Sequence, residues 1–195
     1  LAAVALFSLI GDQEQGQHVY LAAKDGQQAG LASGHVRKMV EKSPELSDAC
    51  VYNKSTGRVS YDAADSWLQP LSSANETTQK SKEGLNGSVF IDETHVVDRS
   101  FVNRINRAGI SREEPLHAEF STAGDDPESY GKERFDFAMK VINGEAENQG
   151  LFAAIYAAPQ DLSDEDLEAD PLKWARMANP AMGHTVDPDE YLHDY

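Results

Sequence analysis

Apolar positions along this chain switch between a helical period and a strand period, and the switches mark out alternating elements. Leu1, Val4, Ala5, Ser8 and Leu9 fall on one helical face, and Gly11-Asp12 stops the run, so residues 1–10 read as the last turns of a helix. Residues 18–23 form an apolar strand. Asp25 then caps a helix running to about residue 42, with Ala29, Val36, Met39 and Val40 as its apolar set, and Pro44 ends it. Short β-like runs follow at 51–52, 59–61 and 67–71. Residues 72–87 are rich in Ser, Thr, Asn, Gln and Lys and read as a mobile loop. After a strand starting at Ser88 come a short helix over 97–108, with Arg99, Arg104 and Arg107, and a strand over 116–123. An amphipathic helix spans 129–142, and 151–158 reads as a further buried strand. Short helices are expected from Ser163, over 171–178, and from Pro188. This alternation predicts an α/β domain with a largely parallel sheet.

The chain is organised around Ser88-Val89-Phe90-Ile91-Asp92-Glu93-Thr94-His95. A continuous apolar run of this kind is a strand buried on both faces, as in the middle of a parallel sheet. It runs directly into two adjacent carboxylates, at the end of the strand where open α/β sheets bind ligands. Two neighbouring acids repel each other, and burying either one costs desolvation energy. A magnesium–nucleotide complex resolves the conflict: one carboxylate serves the cation or its water shell and the other orients and deprotonates a water. A strand that merely ends in solvated acids is the plainer alternative.

Composition narrows the class. The 195 residues are 40% hydrophobic and 26% charged, which suits one globular domain with a tail. Cys50 is the single cysteine, so neither a disulfide framework nor a cysteine-rich zinc site is available, and a reducing compartment is expected. No apolar run is long enough to span a bilayer. The net charge of −16 argues against nucleic-acid binding by bulk electrostatics. Residues 159–195 hold ten acidic residues against Lys173 and Arg176, half of that net charge, and read as an acidic helical tail or linker following a domain over 1–158. Arg104 and Arg107 read as a solvated helix face.

The order of short motifs is more specific than any one of them. An apolar helix ending in Gly-Asp precedes Val19-Tyr20-Leu21-Ala22-Ala23 and Gln28-Ala29. Pro70-Leu71-Ser72-Ser73, Lys82-Glu83-Gly84-Leu85-Asn86 and Val89-Phe90-Ile91-Asp92-Glu93-Thr94-His95 come next. Ser121-Thr122-Ala123-Gly124, Ile155-Tyr156-Ala157-Ala158 and Ala178-Asn179-Pro180-Ala181-Met182-Gly183 follow. Over nearly its whole length the chain resembles the ATPase domain of the large terminase subunit of tailed bacteriophages, the motor that packages double-stranded DNA into procapsids. The resemblance implies a RecA-like P-loop NTPase core of the ASCE class. It implies that Asp92 and Glu93 are the Walker B pair, with Asp92 acting on Mg2+ and Glu93 as the catalytic carboxylate for ATP. It makes Ser121, Thr122 and Ala123 the coupling motif, although a polar strand end capping a turn explains the same residues. Lys82 stands near the place of a basic residue that reaches a neighbouring subunit's nucleotide, and a solvated lysine is the plainer reading. Implied partners are the portal protein, the small terminase subunit, sister large subunits and double-stranded DNA, in the host bacterial cytoplasm.

The chain also departs from that pattern. The phosphate loop Gly-x-x-x-x-Gly-Lys-Ser/Thr occurs nowhere in the 195 residues. In the resembled family that loop sits just before a segment like residues 1–10, so the expectation is a motor-domain fragment with its first strand, phosphate loop and following nuclease domain outside it, inactive alone. Two rival readings remain. Asp-Glu-Thr-His also matches a DExH helicase, where the lone His95 is read as structural, and a non-catalytic domain descended from a P-loop fold needs no phosphate loop.

Overall fold

The computed structural model describes residues 1–12, 14–73, 85–107, 109–159 and 161–193. The chain divides into two compact units, Leu1–Met139 and Lys140–Tyr195. The first unit carries the sheet. Its strands are β1 (His18–Ala23), β2 (Val51–Asn53), β3 (Arg58–Tyr61), β4 (Ser66–Ser72), β5 (Ser88–Ile91) and β6 (His117–Glu119), in the spatial order β2-β3-β4-β1-β5-β6. The neighbours β4, β1, β5 and β6 are parallel, and β2 and β3 extend the sheet beyond β4 as an antiparallel hairpin. The mixed α/β, largely parallel architecture expected from the sequence is therefore the observed one.

Two layers of helix cover the sheet, and strand alternation decides which side chain meets which layer. Val19 and Leu21 of β1, Leu68 of β4 and Phe90 of β5 point to one face. There they pack with Ala5, Leu6 and Leu9 of α1 (Ala2–Ile10) and with Ala32, Val36 and Val40 of α2 (Gly26–Lys42). Tyr20, Ala22, Leu71, Val89 and Ile91 point to the other face, against Phe101, Val102 and Ile105 of α4 (Arg99–Ile105) and against Tyr130. Asp25 starts α2 as expected: its carboxylate accepts the N–H groups of Gln27 and Gln28, each at 2.9 Å.

Four sequence expectations change. Pro44 does not only end α2; it opens α3 (Pro44–Ala49), with Ser43 as the capping residue, because proline suits the first turn of a helix. The helix expected over 97–108 is shortened to α4, since a tight turn holds Thr94–Val96 and Asp98 becomes its N-cap. The strand expected over 116–123 is reduced to β6, the sheet edge among the described residues, and the backbone from Phe120 onward turns across the end of β5. Residues 151–158 are not a strand. Phe152 is 89% exposed and Tyr156 61%, and without a ladder partner an apolar run leaves its backbone to water. Of the loop expected over 72–87, residues 74–84 lie outside the described residues.

Helix α5 (Tyr130–Ile142) is anchored to β6 through one carboxylate. Glu119 accepts the Tyr130 hydroxyl at 3.0 Å and the Arg134 Nε–H at 3.2 Å. Burial, reinforced by the Glu119 charge, pushes the Tyr130 phenol up to about 12. Arg99 of α4 pairs with Glu133 of α5, so both helices are tied at one end of the sheet. In the second unit, α6 (Asp164–Ala169) is capped by Ser163, α7 (Pro171–Ala178) by Asp170, and α8 (Pro188–His193) ends the described chain. Trp174 of α7 donates to the Asp166 carbonyl of α6 at 3.0 Å. No helix among the described residues is long and apolar enough to cross a membrane.

Gly87 sets the entry of β5. It has φ +152°, and a Cβ there would lie 1.8 Å from the carbonyl oxygen of His18, a backbone atom that cannot step aside. Gly87→Ala is expected to destabilise the chain by about 3–5 kcal/mol, read by urea denaturation, because β1 and β5 cannot then pair in register. A midpoint like that of the wild type would contradict this packing.

Candidate active site

The parallel strands all end on the same side, and the polar residues singled out from the sequence gather there. The Asp92 N–H continues the ladder by donating to the Ala22 carbonyl at 2.8 Å, which leaves its half-buried side chain just past the end of β5. Glu93 comes next and leaves the β region altogether, with φ 52° and ψ 54°. A left-handed backbone at a non-glycine residue is strained. Here it reverses the chain sharply, so that Thr94 bonds back to the adjacent strand end: its N–H and its hydroxyl both donate to the Phe120 carbonyl, at 3.1 and 3.3 Å.

That reversal brings the ends of β5 and β6 together. The Thr122 hydroxyl donates to Glu93 Oε2 at 3.3 Å, and His95 Nδ1 lies 3.2 Å from the same oxygen. Ser121 Oγ lies 2.9 Å from His95 Nδ1, accepts the His95 backbone N–H at 3.1 Å and donates to the Thr122 carbonyl at 2.9 Å. Of the residues expected to act together, Asp92, Glu93, Ser121 and Thr122 share this edge, and exposed Ala123 continues the segment beyond it. Lys82 lies outside the described residues. His95, read from the sequence as a structural residue, has its imidazole between Glu93 and Ser121. The signal for it was the Asp-Glu-Thr-His string itself.

The chemistry of this edge suits a hard cation and a nucleophilic water. Asp92, Glu93 and Thr122 offer only oxygen donors, the ligand type Mg2+ takes. No group of three or more His, Cys, Asp or Glu side chains that could cage a metal occurs among the described residues. Mg2+ needs no such cage, because it is usually held by one or two carboxylates, water and phosphate oxygens. The donor set therefore fits a magnesium–phosphate ligand.

With the geometry in place, comparison with known proteins separates fold from lineage. No family model matches the sequence, and no curated protein matches it. Among solved structures, the large terminase of bacteriophage HK97 aligns with a TM-score of 0.79 at 23% identity, covering 97% of this chain and 38% of that one. The fold is that of a phage large terminase. The large terminase of a thermophilic bacteriophage aligns with a TM-score of 0.55 at 16% identity, over 73% of this chain and 34% of that one. The large terminase ATPase domain of a Thermus phage aligns with a TM-score of 0.51 at 18% identity, over 63% and 53%. The RecA-like core expected from the sequence is thereby found, and the chain spans well under half the length of the HK97 terminase.

The strained turn can be tested without any ligand. Glycine adopts the left-handed region without penalty, whereas alanine there costs about 1–2 kcal/mol. Glu93→Gly and Glu93→Ala both remove the carboxylate, so their difference isolates the backbone. The glycine variant is expected to be more stable by about 1 kcal/mol in chemical denaturation. An alanine variant of equal or greater stability would show that position 93 is not held left-handed.

Proposed function

We propose that the chain is part of the ATPase motor of a phage large terminase, and that its intact subunit hydrolyses ATP to drive double-stranded DNA into procapsids. The observation that carries the proposal is the Glu93 carboxylate, projected off the end of β5 by a left-handed turn and bonded by Thr122 of the segment after the neighbouring strand. The likeness to the HK97 large terminase over 97% of the chain supports this reading over a DExH helicase.

In this reading Glu93 accepts a proton from the attacking water and aims it in line with the γ-phosphoryl group. Asp92, one residue earlier, would hold Mg2+ through its water shell, and the ion when bound would supply neutralisation of phosphate charge. Ser121 and Thr122 sit beside that carboxylate and pass its state to β6, with Ala123 completing the coupling segment. Lys82 is the candidate for reaching a neighbouring subunit's nucleotide, with a solvated lysine the plainer reading. The phosphate loop is assigned to residues outside these 195, because the Gly-x-x-x-x-Gly-Lys-Ser/Thr pattern that gives its charge-assisted N–H contacts to phosphate, at about 1.5–3 kcal/mol each, does not occur among them. The 195 residues alone are accordingly assigned no ATPase activity. The motor's partners are the portal protein, the small terminase subunit, sister large subunits and DNA, in the cytoplasm of the host bacterium. Residues 159–195 form an acidic helical segment leading toward a nuclease domain.

Glu93→Gln keeps the shape and removes the base. In the intact subunit kcat is expected to fall by about 10²–10⁴ while ATP still binds. A kcat within about threefold of wild type would remove Glu93 from the role given to it.

A further inference from the structure

His95 bridges the segments that follow β5 and β6. Its Nδ1 lies 3.2 Å from Glu93 Oε2 and 2.9 Å from Ser121 Oγ. The protonation of that nitrogen follows from counting donors. The Ser121 hydroxyl has the Thr122 carbonyl as an acceptor at 2.9 Å, which leaves its oxygen able to accept from His95. The Glu93 carboxylate only accepts. Nδ1 therefore carries the proton, and a single N–H is shared between the carboxylate after β5 and the hydroxyl after β6.

The position of the residue is fixed from behind. A Cβ on Gly124, in the segment after β6, would lie 2.8 Å from His95 Cβ, and one on Gly131, in the first turn of α5, would lie 2.6 Å from His95 Cα. Both neighbours come so close that only hydrogen fits. His95 thus touches the Glu93 turn, the β6 exit and the start of α5 at once, with its side chain 20% exposed.

We infer that His95 is the positioning residue for Glu93, its Nδ1 tying the Glu93 carboxylate to the Ser121 hydroxyl across the two strand ends. The inference rests on the ATPase reading. While Glu93 is ionised, the Nδ1–H holds its carboxylate in place. When the attacking water gives up its proton, that proton goes to Glu93, the hydroxide oxygen bonds phosphorus and the bond to the leaving β-phosphate oxygen breaks.

Three variants of the intact subunit, assayed with ATP and Mg2+, test this. Asparagine places an N–H donor one bond from Cγ, where Nδ1 stands. Glutamine places its donor one atom further out, and alanine supplies none. His95→Ala and His95→Gln should each lower kcat by about ten- to a hundredfold with KM for ATP little changed, and His95→Asn should recover most of that loss. A purely structural histidine would not separate asparagine from glutamine. Equal behaviour of these two variants, or wild-type kcat in His95→Ala, would overturn the inference. If His95→Ala fails to fold, the asparagine–glutamine pair still decides. Glu93→Gln and the wild type run alongside keep the claims apart: an inactive Glu93→Gln with an active His95→Ala removes only the role of His95, an active Glu93→Gln removes Glu93 as the base, and a wild-type subunit that turns over no ATP removes the ATPase reading itself.

Discussion

Strand β5 has no solvent face. Val89, Phe90 and Ile91 are each at most 2% exposed, and Ser88 is fully buried, so every backbone and hydroxyl group along the strand must find a partner inside the fold. Hydrogen bonding to β1 on one side and β6 on the other meets that demand. The Ser88 hydroxyl oxygen accepts the Leu116 N–H at 3.0 Å, and the Asp92 N–H reaches the Ala22 carbonyl. These bonds set the register of the strand, and a shift by one residue would exchange Phe90 with Val89 and Ile91 between the two cores. The distance from the buried strand to its carboxylates is therefore not free to vary. Where β5 stops, Asp92 and Glu93 must stand.

The site follows from what happens in the next three residues. A strand that continued straight would send Glu93 away from β6. The left-handed backbone at Glu93 bends the chain back, and the two bonds from Thr94 to the Phe120 carbonyl hold the bend. Strain at one residue is thus balanced by contacts made by its neighbours, the pattern expected where geometry serves chemistry. The same bend lets Glu93, His95, Ser121 and Thr122 form one hydrogen-bonded set across two strand ends. Helix α5 stands behind them, tethered through Tyr130, Arg134 and Glu119.

Much of this was legible in the sequence. β1 and α2 have the bounds that their apolar patterns and Asp25 implied, because capping and periodicity are local signals. The two acids after Ile91 were visible for the same reason. What could not be read depends on partners distant in sequence. Residues 151–158 have the composition of a buried strand, but composition does not supply a neighbouring edge. Residues 116–123 looked strand-like throughout, yet β6 ends at Glu119 because the chain beyond it is engaged with the turn after β5. Pro44 was read as a stop, and a local signal of the opposite sense, Ser43 ahead of it as a cap, was overlooked. The contacts of His95 were hidden because its partners Ser121 and Gly131 lie 26 and 36 positions along the chain.

In the proposed reading the ends of β5 and β6 form the γ-phosphate side of a nucleotide site. The most direct measurement is a crystal structure of the intact subunit with Mg2+ and a non-hydrolysable ATP analogue. The account predicts the γ-phosphate facing Glu93, the ion or its water shell against Asp92, and the Thr122 and His95 contacts to Glu93 intact. A nucleotide bound away from this edge, or a Glu93 turn pointing away from the bound phosphates, would contradict it.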